Sequence, residues 1–363
     1  MITITPKHAK NLIAEFAASD TPASVMLWGL PGVGKTSAVA QAAQELGIGF
    51  KSVVAHPYMP SDVLGLPFII RGETRYAPPE LFPDARPVEQ GGDGERGLFF
   101  LDELPNCVQA MQSAWGIVIL ERSVRNYKFP RGWTIVCAGN PPGTMSASNR
   151  LIGPLQSRVI GCMVVPEGQE FYEYAVARGL SKYVTDFLDF KKDALLKYDT
   201  TSRGDGAFPN PRSWERVSEI LQMPWPRMQM RERNEEIKGQ IGVGMATEFL
   251  AYLDIYASMP TFDDIINDRM DYTKSGLGVS YAVVGSLLGF LIEQPSQQNV
   301  NRVMALTVRM PSEYRTLLLH RMWNYGKDKS KGQAGLFVPF MMGSPFWSAA
   351  SAHLQGLIKA EQQ

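Results

Sequence analysis

The sequence predicts an α/β protein, a parallel sheet with helices on both faces, followed by an all-helical lid and a C-terminal extension. Three observations carry this. Apolar runs at 24–29, 50–55, 98–102, 133–139 and 158–165 lack the polar alternation of half-exposed strands and read as strands buried on both faces. Helix-forming stretches separate them, such as "SAVAQAAQELG", where Gly47 stands in the position of a C-terminal cap. From about residue 168 the strand signals stop and helical periodicity takes over, as in "FYEYAVARGLSKYVTDFLDF" and "SWERVSEILQM". Strands alternating with helices imply a sheet whose ligand site lies at the strands' carboxyl ends.

The first strand, "SVMLW", runs into "GLPGVGKTS", and the Ala-rich helix follows at once. The spacing Gly29-x-x-x-x-Gly34-Lys35-Thr36 between a strand and a helix is that of a phosphate-binding loop. Glycines there let backbone N–H groups wrap phosphates, and the helix start adds the positive end of its dipole. Four specified positions match by chance in on the order of one chain in a hundred of this length. The segment Gly29, Pro31, Gly32, Val33, Gly34, Lys35, Thr36 and Ser37 is therefore read as the cradle of ATP. Lys35 reaches the β- and γ-phosphates, and the Thr36 hydroxyl ligates Mg²⁺.

Further strand ends supply the partners. "GLFFLDELPN" ends an apolar strand in Asp102-Glu103: Asp102 is read as a second holder of the nucleotide and Mg²⁺, Glu103 as the general base that polarises water. "WTIVCAGN" ends in Asn140, a neutral amide able to hydrogen-bond water or γ-phosphate without competing for metal. In "SNRLIGPLQSRVIGCMVV", Arg158 directly precedes the last strand, outside the self-contained site, where it can serve a neighbouring subunit; Arg150 is the alternative. "PNPRSWERVSEIL" places Arg212 in a helix's first turn, where it opposes the dipole and calls for an anion such as phosphate.

This order of motifs resembles the AAA+ ATPase superfamily, in particular its MoxR-like branch. In that family's terms Gly29 to Thr36 match Walker A, Asp102 and Glu103 Walker B, Asn140 sensor 1, Arg158 the arginine finger and Arg212 sensor 2. "YMPSDVLGLPFIIRGETRYAPPELFPDA", within an insert at about 57–85, is similar to the branch's insert in the second core helix. "LERSVRNYKFPRGW", at about 120–132, resembles its hairpin before sensor 1. "LQSRV" departs from the "DRF" common in MoxR proteins and resembles the clamp-loader form. The resemblance implies a P-loop core, a ring, hexameric in the family, and chaperone-like remodelling of a partner, often a protein with a von Willebrand factor A domain. No such domain stands in this chain, so the partner would be a separate one.

The organisation that follows is a nucleotide-binding core at 1–167, a helical lid at 168–325, and a linker with an apolar tail at 326–363. "DTTSRGDGAFPNP" reads as the hinge, "RMQMRERNEEIK" as a solvated helix face or loop, and "GKDKSKGQAG" as an exposed linker. The tail "LFVPFMMGSPFW" either packs onto the lid or docks a partner. Arg122, Arg125, Tyr127 and Lys128 on the hairpin either form a collar that grips polypeptide or nucleic acid, or are a solvated hairpin.

Composition closes off other classes. The 363 residues leave room for two to three domains of roughly 150 residues each. With 45% hydrophobic and 20% charged residues the chain is globular rather than disordered. Lys plus Arg equals Asp plus Glu at 36 each, so no global basic field favours a nucleic-acid motor or loader, the rival reading. An assembly scaffold that rarely hydrolyses is the other rival, opposed by the intact Asp102-Glu103 pair. The N-terminal "MITITPKHAKNLIAEFAASD" lacks the features of a leader, and "YAVVGSLLGFLIEQ" is shorter than the ~20 residues that cross a bilayer. Cys107, Cys137 and Cys162 lack metal-ligand spacing and read as small buried hydrophobes of a reducing, cytoplasmic compartment. His8, His56, His320 and His353 read as structural or surface residues.

Overall fold

In a strand covered on both faces, alternate residues enter two different cores, and the run Ser24–Trp28 does this. Val25 and Leu27 join one buried cluster, Met26 and Trp28 another. The computed structural model describes residues 1–19, 24–77, 79–143, 148–198, 206–226, 229–257, 265, 277–327 and 337–351. It divides into two compact units, 1–174 with 194–216, and 175–193 with 217–363.

The first unit is built on a six-stranded parallel sheet. Its strands are β1 (Ile2–Ile4), β2 (Ser24–Trp28), β3 (Gly49–Val54), β6 (Arg96–Asp102), β9 (Gly132–Gly139) and β10 (Ile160–Val164), in the order β1-β10-β2-β9-β6-β3. Register runs Leu27↔Ala138 and Leu101↔Cys137 across the centre, so the ends of β2, β9 and β6 lie side by side. Helices α1 (Pro6–Ala18) and α2 (Lys35–Leu46) cover one face through Ala9, Ile13, Val39 and Ala42. Helix α4 (Gln109–Glu121) covers the other through Met111, Trp115 and Val118. The Trp115 indole, fully buried, donates to the Ala55 carbonyl at 3.2 Å, so this large core side chain leaves no unsatisfied donor.

Two features were not expected from sequence. Strand β1 pairs in parallel with β10 and is three residues long with Ile4 alone buried, too short for a periodic signal. The insert at 57–85 holds α3 (Pro60–Leu64) and an antiparallel hairpin of β4 (Pro67–Ile70) and β5 (Glu73–Tyr76). The second hairpin, β7 (Ser123–Val124) with β8 (Tyr127–Lys128), falls within the expected span, but two collar residues point inward. Arg122 donates to the Pro130 carbonyl at 3.0 Å and lies over the Phe129 ring. Tyr127 donates to the Pro83 carbonyl at 2.7 Å and stacks on Phe82. Core packing claims them, and Arg125, over the Tyr76 ring, and Lys128 are the exposed pair.

After α5 (Gly153–Gln156) and β10 the chain is helical: α6 (Gly168–Ala177), α7 (Lys182–Phe190) and α8 (Pro211–Gln222) follow. In the second unit, helices Leu277–Glu293, Gln297–Arg309 and Ser312–Lys327 share a core of Leu287, Val303, Leu319 and Met322. The apolar tail packs into this core: Phe337 and Met341 are fully buried, and Trp347 stacks on Trp323. The run "RMQMRERNEEIK" contributes the helix Met230–Ile241, whose Ile237 and Ile241 are buried. Positions 199–205 of the hinge and 328–335 of the linker lie outside the described residues, as does His353. Among the described residues no helix is long and apolar enough to cross a membrane.

Candidate nucleotide site

The glycine loop leaves β2 and returns as α2. Gly29 N–H donates to the Gly139 carbonyl at 3.2 Å, tying the loop's start to the end of β9. Gly34, with φ +99°, turns the chain into α2 as its N-cap, and Gly47 ends that helix in the left-handed conformation. Gly32 is needed twice over. Its φ is +77°, and a Cβ there would stand 2.0 Å from Asn210 Oδ1.

Asn210 itself caps α8: its Oδ1 accepts from Ser213 N–H at 3.1 Å, and Ser213 Oγ accepts from Asn210 N–H at 2.9 Å. Arg212 N–H then donates to the Gly32 carbonyl at 3.2 Å. The first turn of α8 is thus stitched to the phosphate loop, with the Arg212 side chain exposed beside it. Sequence reading singled out Arg212 and passed over Asn210, whose signal was the Asn-Pro pair in capping position.

Lys35 is only 8% exposed, and its ammonium donates to the carbonyls of Gly29 (2.7 Å) and Leu30 (3.0 Å) and to Asn140 Oδ1 (3.3 Å). Burial pushes its pKa down to about 8, against the upward pull of the Asp102 carboxylate, and Arg212 adds to the lowering. A buried cation held mainly by neutral oxygens is short of negative charge, which phosphate oxygens would supply.

Opposite it, Thr36 Oγ1 donates to Asp102 Oδ2 at 3.2 Å. This hydroxyl and carboxylate are hard oxygen donors, suited to a Mg²⁺ ion that keeps several waters and two protein-side ligands. Among the described residues there is no cluster of three or more His, Cys, Asp or Glu side chains able to hold a metal, so nucleotide and water oxygens would have to complete the shell.

Glu103 follows Asp102 with φ +57°, a left-handed conformation that costs a non-glycine residue about 1 kcal/mol. Its N–H donates to Asp102 Oδ1 at 2.9 Å, which fixes the two carboxylates relative to each other. Glu103 Oε2 meets His56 Nδ1 at 2.9 Å and accepts from Asn106 Nδ2 at 3.4 Å. His56, expected from sequence to be a structural or surface residue, is exposed and stands against the Glu103 carboxylate. Two residues beyond β3 in the chain, beside the end of β6, it gave no motif by which to find it.

Lys35, Thr36, Asp102, Glu103 and Asn140 therefore meet at the carboxyl ends of three adjacent strands. Arg150 and Arg158 do not join them. Both are exposed, and neither side chain forms a hydrogen bond or ion pair among the described residues. Arg158 sits after α5, its N–H donating to Leu155 O at 3.2 Å, while Arg150 borders a cleft of about 560 Å³ with Trp28, Pro142 and Gln156. The cysteines are all buried, and burial alone pushes the Cys107 and Cys137 thiols up to about 12.

A parallel sheet with a glycine loop, an adjacent lysine and threonine, and a strand-end carboxylate pair defines a P-loop nucleotide-binding core. Residues 25–159 match the family described as ATPase family associated with various cellular activities (AAA). Similar solved structures include the Holliday junction branch migration motor RuvB of Thermotoga maritima, 18% identical, with 75% of this chain and 76% of that one covered at a TM-score of 0.36. A mutant of the same RuvB is 17% identical, covers 74% and 77%, and has a TM-score of 0.35. A protein of Cytophaga hutchinsonii described as a candidate ATPase is 13% identical over 87% of this chain and 81% of its own, at a TM-score of 0.34. No curated protein matches the chain.

Proposed function

We propose that this chain hydrolyses MgATP and that the site acts between subunits of a ring. The observation that carries the reading is the meeting of Lys35, Thr36, Asp102, Glu103 and Asn140 at one strand end, with Lys35 buried and short of anionic partners. Lys35 and the loop N–H groups hold the β- and γ-phosphates. Thr36 and Asp102 hold Mg²⁺, which when bound neutralises charge on the phosphate oxygens. Glu103 takes the proton of the attacking water, Asn140 orients that water or the γ-phosphate, and Arg212 reads the γ-phosphate from the start of α8. His56 fixes the Glu103 carboxylate, as an orienting group behind a base does.

Arg158 acts on the neighbour's γ-phosphate, with Arg150 as its alternate. Its exposure, with no side-chain partner among the described residues, supports a role outside its own subunit. A shared site couples hydrolysis to subunit geometry, and the output is remodelling of a protein client. The MoxR-type assignment, with six subunits and a separate von Willebrand factor A partner, rests on the motif order and the two inserts.

The test is ATP turnover with molecular mass measured in the same samples. Arg158→Ala rings should assemble and bind ATP without turning it over, and adding Glu103→Gln subunits with intact Arg158 should restore some activity. A wild type that stays monomeric, with normal turnover in a variant carrying both Arg150→Ala and Arg158→Ala, would contradict the shared site.

A further inference from the structure

The Glu103 carboxylate is the first member of a hydrogen-bonded chain that leads out of the nucleotide site. An ionised carboxylate only accepts, so Asn106 must present its NH₂ to Glu103 Oε2, and its Oδ1 is left as an acceptor. That acceptor is taken by the Ser148 hydroxyl at 3.2 Å. The next residue, Asn149, doubles the link: its N–H donates to Pro105 O at 2.8 Å and its Nδ2 to Cys107 O at 3.2 Å.

Gln112 on α4, almost wholly buried, closes the far end. Its Nε2 donates to Cys107 O at 3.2 Å and to Arg150 O at 3.3 Å, while its Oε1 accepts from Ile152 N–H at 3.0 Å. The turn 104–107 is therefore clamped between the base on one side and the segment 148–152 on the other. A buried amide that satisfies three partners has few alternative placements, so displacement of the Arg150 backbone must move the turn. Among the described residues, the Asn106 side chain is hydrogen-bonded to both Glu103 and the segment.

We propose that Asn106 is a positioning residue for Glu103 and that Ser148 sets it, so the segment bearing Arg150 controls the orientation of the base. The inference rests on the reading of Glu103 as general base. It adds a direction of influence: whatever engages Arg150, a neighbouring subunit's phosphates foremost, adjusts the carboxylate of Arg150's own subunit. His56 meets the same Glu103 oxygen, Oε2, and among the described residues makes no hydrogen bond to Asn106 or Ser148.

The experiment uses the full-length protein and a double-mutant cycle. Asn106→Ala and Ser148→Ala should each lower kcat about tenfold, the scale of one hydrogen bond to a charged group, with the KM for ATP unchanged. Adding Ser148→Ala to Asn106→Ala should cost nothing more, and Ser148→Thr, which keeps the hydroxyl, should retain wild-type kcat. Costs that multiply, or a Ser148→Ala enzyme with wild-type kcat, would overturn the proposal.

A second readout does not depend on turnover. The side-chain amide resonance of Asn106, observed by ¹H–¹⁵N NMR, should move in Glu103→Gln and in Ser148→Ala. If the wild type fails to hydrolyse ATP, the reading of Glu103 as base falls, while the amide signal still decides whether the link exists. An Asn106 signal unmoved by Ser148→Ala sinks the link whatever the turnover.

Discussion

Glu103 Oε2 and His56 Nδ1 lie 2.9 Å apart, at a position where the backbone of Glu103 is held left-handed. Backbone strain and a dedicated partner on one carboxylate are what positioning a base requires. Replacing His56 with Ala leaves Oε2 to Asn106 without touching the phosphate loop. We expect kcat to fall about tenfold with ATP affinity unchanged, read by turnover alongside nucleotide titration. Equal losses in both would place His56 in folding of the site rather than in orienting Glu103.

Lys35 predicts a proton balance. Without nucleotide its pKa stands at about 8, lowered first by burial. At pH 8.5 roughly three quarters of it is then neutral, and at pH 6.5 nearly all is charged. Phosphate oxygens favour the ammonium and raise the pKa again, so binding takes up a proton in the alkaline case. Calorimetry in two buffers of different ionisation enthalpy should find roughly 0.7 proton taken up per nucleotide at pH 8.5 and almost none at pH 6.5. Proton release at pH 8.5, or no exchange, would mean that Lys35 does not meet the phosphates.

The second unit contains its own charged cluster. Arg321 pairs with Asp186 at 2.9 Å and also with Asp189, and burial pushes Asp186 up to about 6 despite Arg321. Because the folded pKa exceeds the unfolded value of 3.8, the folded state binds the extra proton between about 4 and 6, and this contribution weakens as pH rises through 6. Arg321→Met removes the counter-charge and raises Asp186 further. The loss should be about 3–5 kcal/mol at pH 8 and clearly smaller at pH 5, where the carboxyl is neutral. Hydrogen exchange in helices Lys182–Phe190 and Ser312–Lys327 would measure it. A pH-independent loss would assign the effect to Asp189 or to packing.

What the sequence made legible followed the range of its signals. Five apolar strand runs and the glycine loop are local patterns of apolar run, glycine and charge, and each strand appears where its pattern stood, but β3, expected to be buried on both faces, is an edge strand with Val53 buried and Phe50 and Val54 exposed. Gly47 as a cap and Pro211 at a helix start are likewise local. Contacts between distant segments carried no such signal. His56 meets Glu103 across 47 positions, and Asn210 reaches Gly32 across 178, because the parallel sheet and α8 bring them together. The collar residues failed for a related reason. A basic and aromatic hairpin looks solvated by composition, yet the aromatic core of Phe82, Phe99 and Phe129 draws in Tyr127 and the stem of Arg122.

The most direct test of the account compares ATP turnover and ATP binding for the wild type and Glu103→Gln. Glutamine keeps the size of the side chain and removes its basicity, so the phosphate loop, Thr36 and Asp102 are untouched. The account predicts wild-type hydrolysis dependent on Mg²⁺, a loss of at least about a hundredfold in kcat on substitution, the lower end of the range for losing a general base, and retained ATP affinity. Turnover that survives in Glu103→Gln would contradict the assignment of the base, and with it the mechanism built on this strand end.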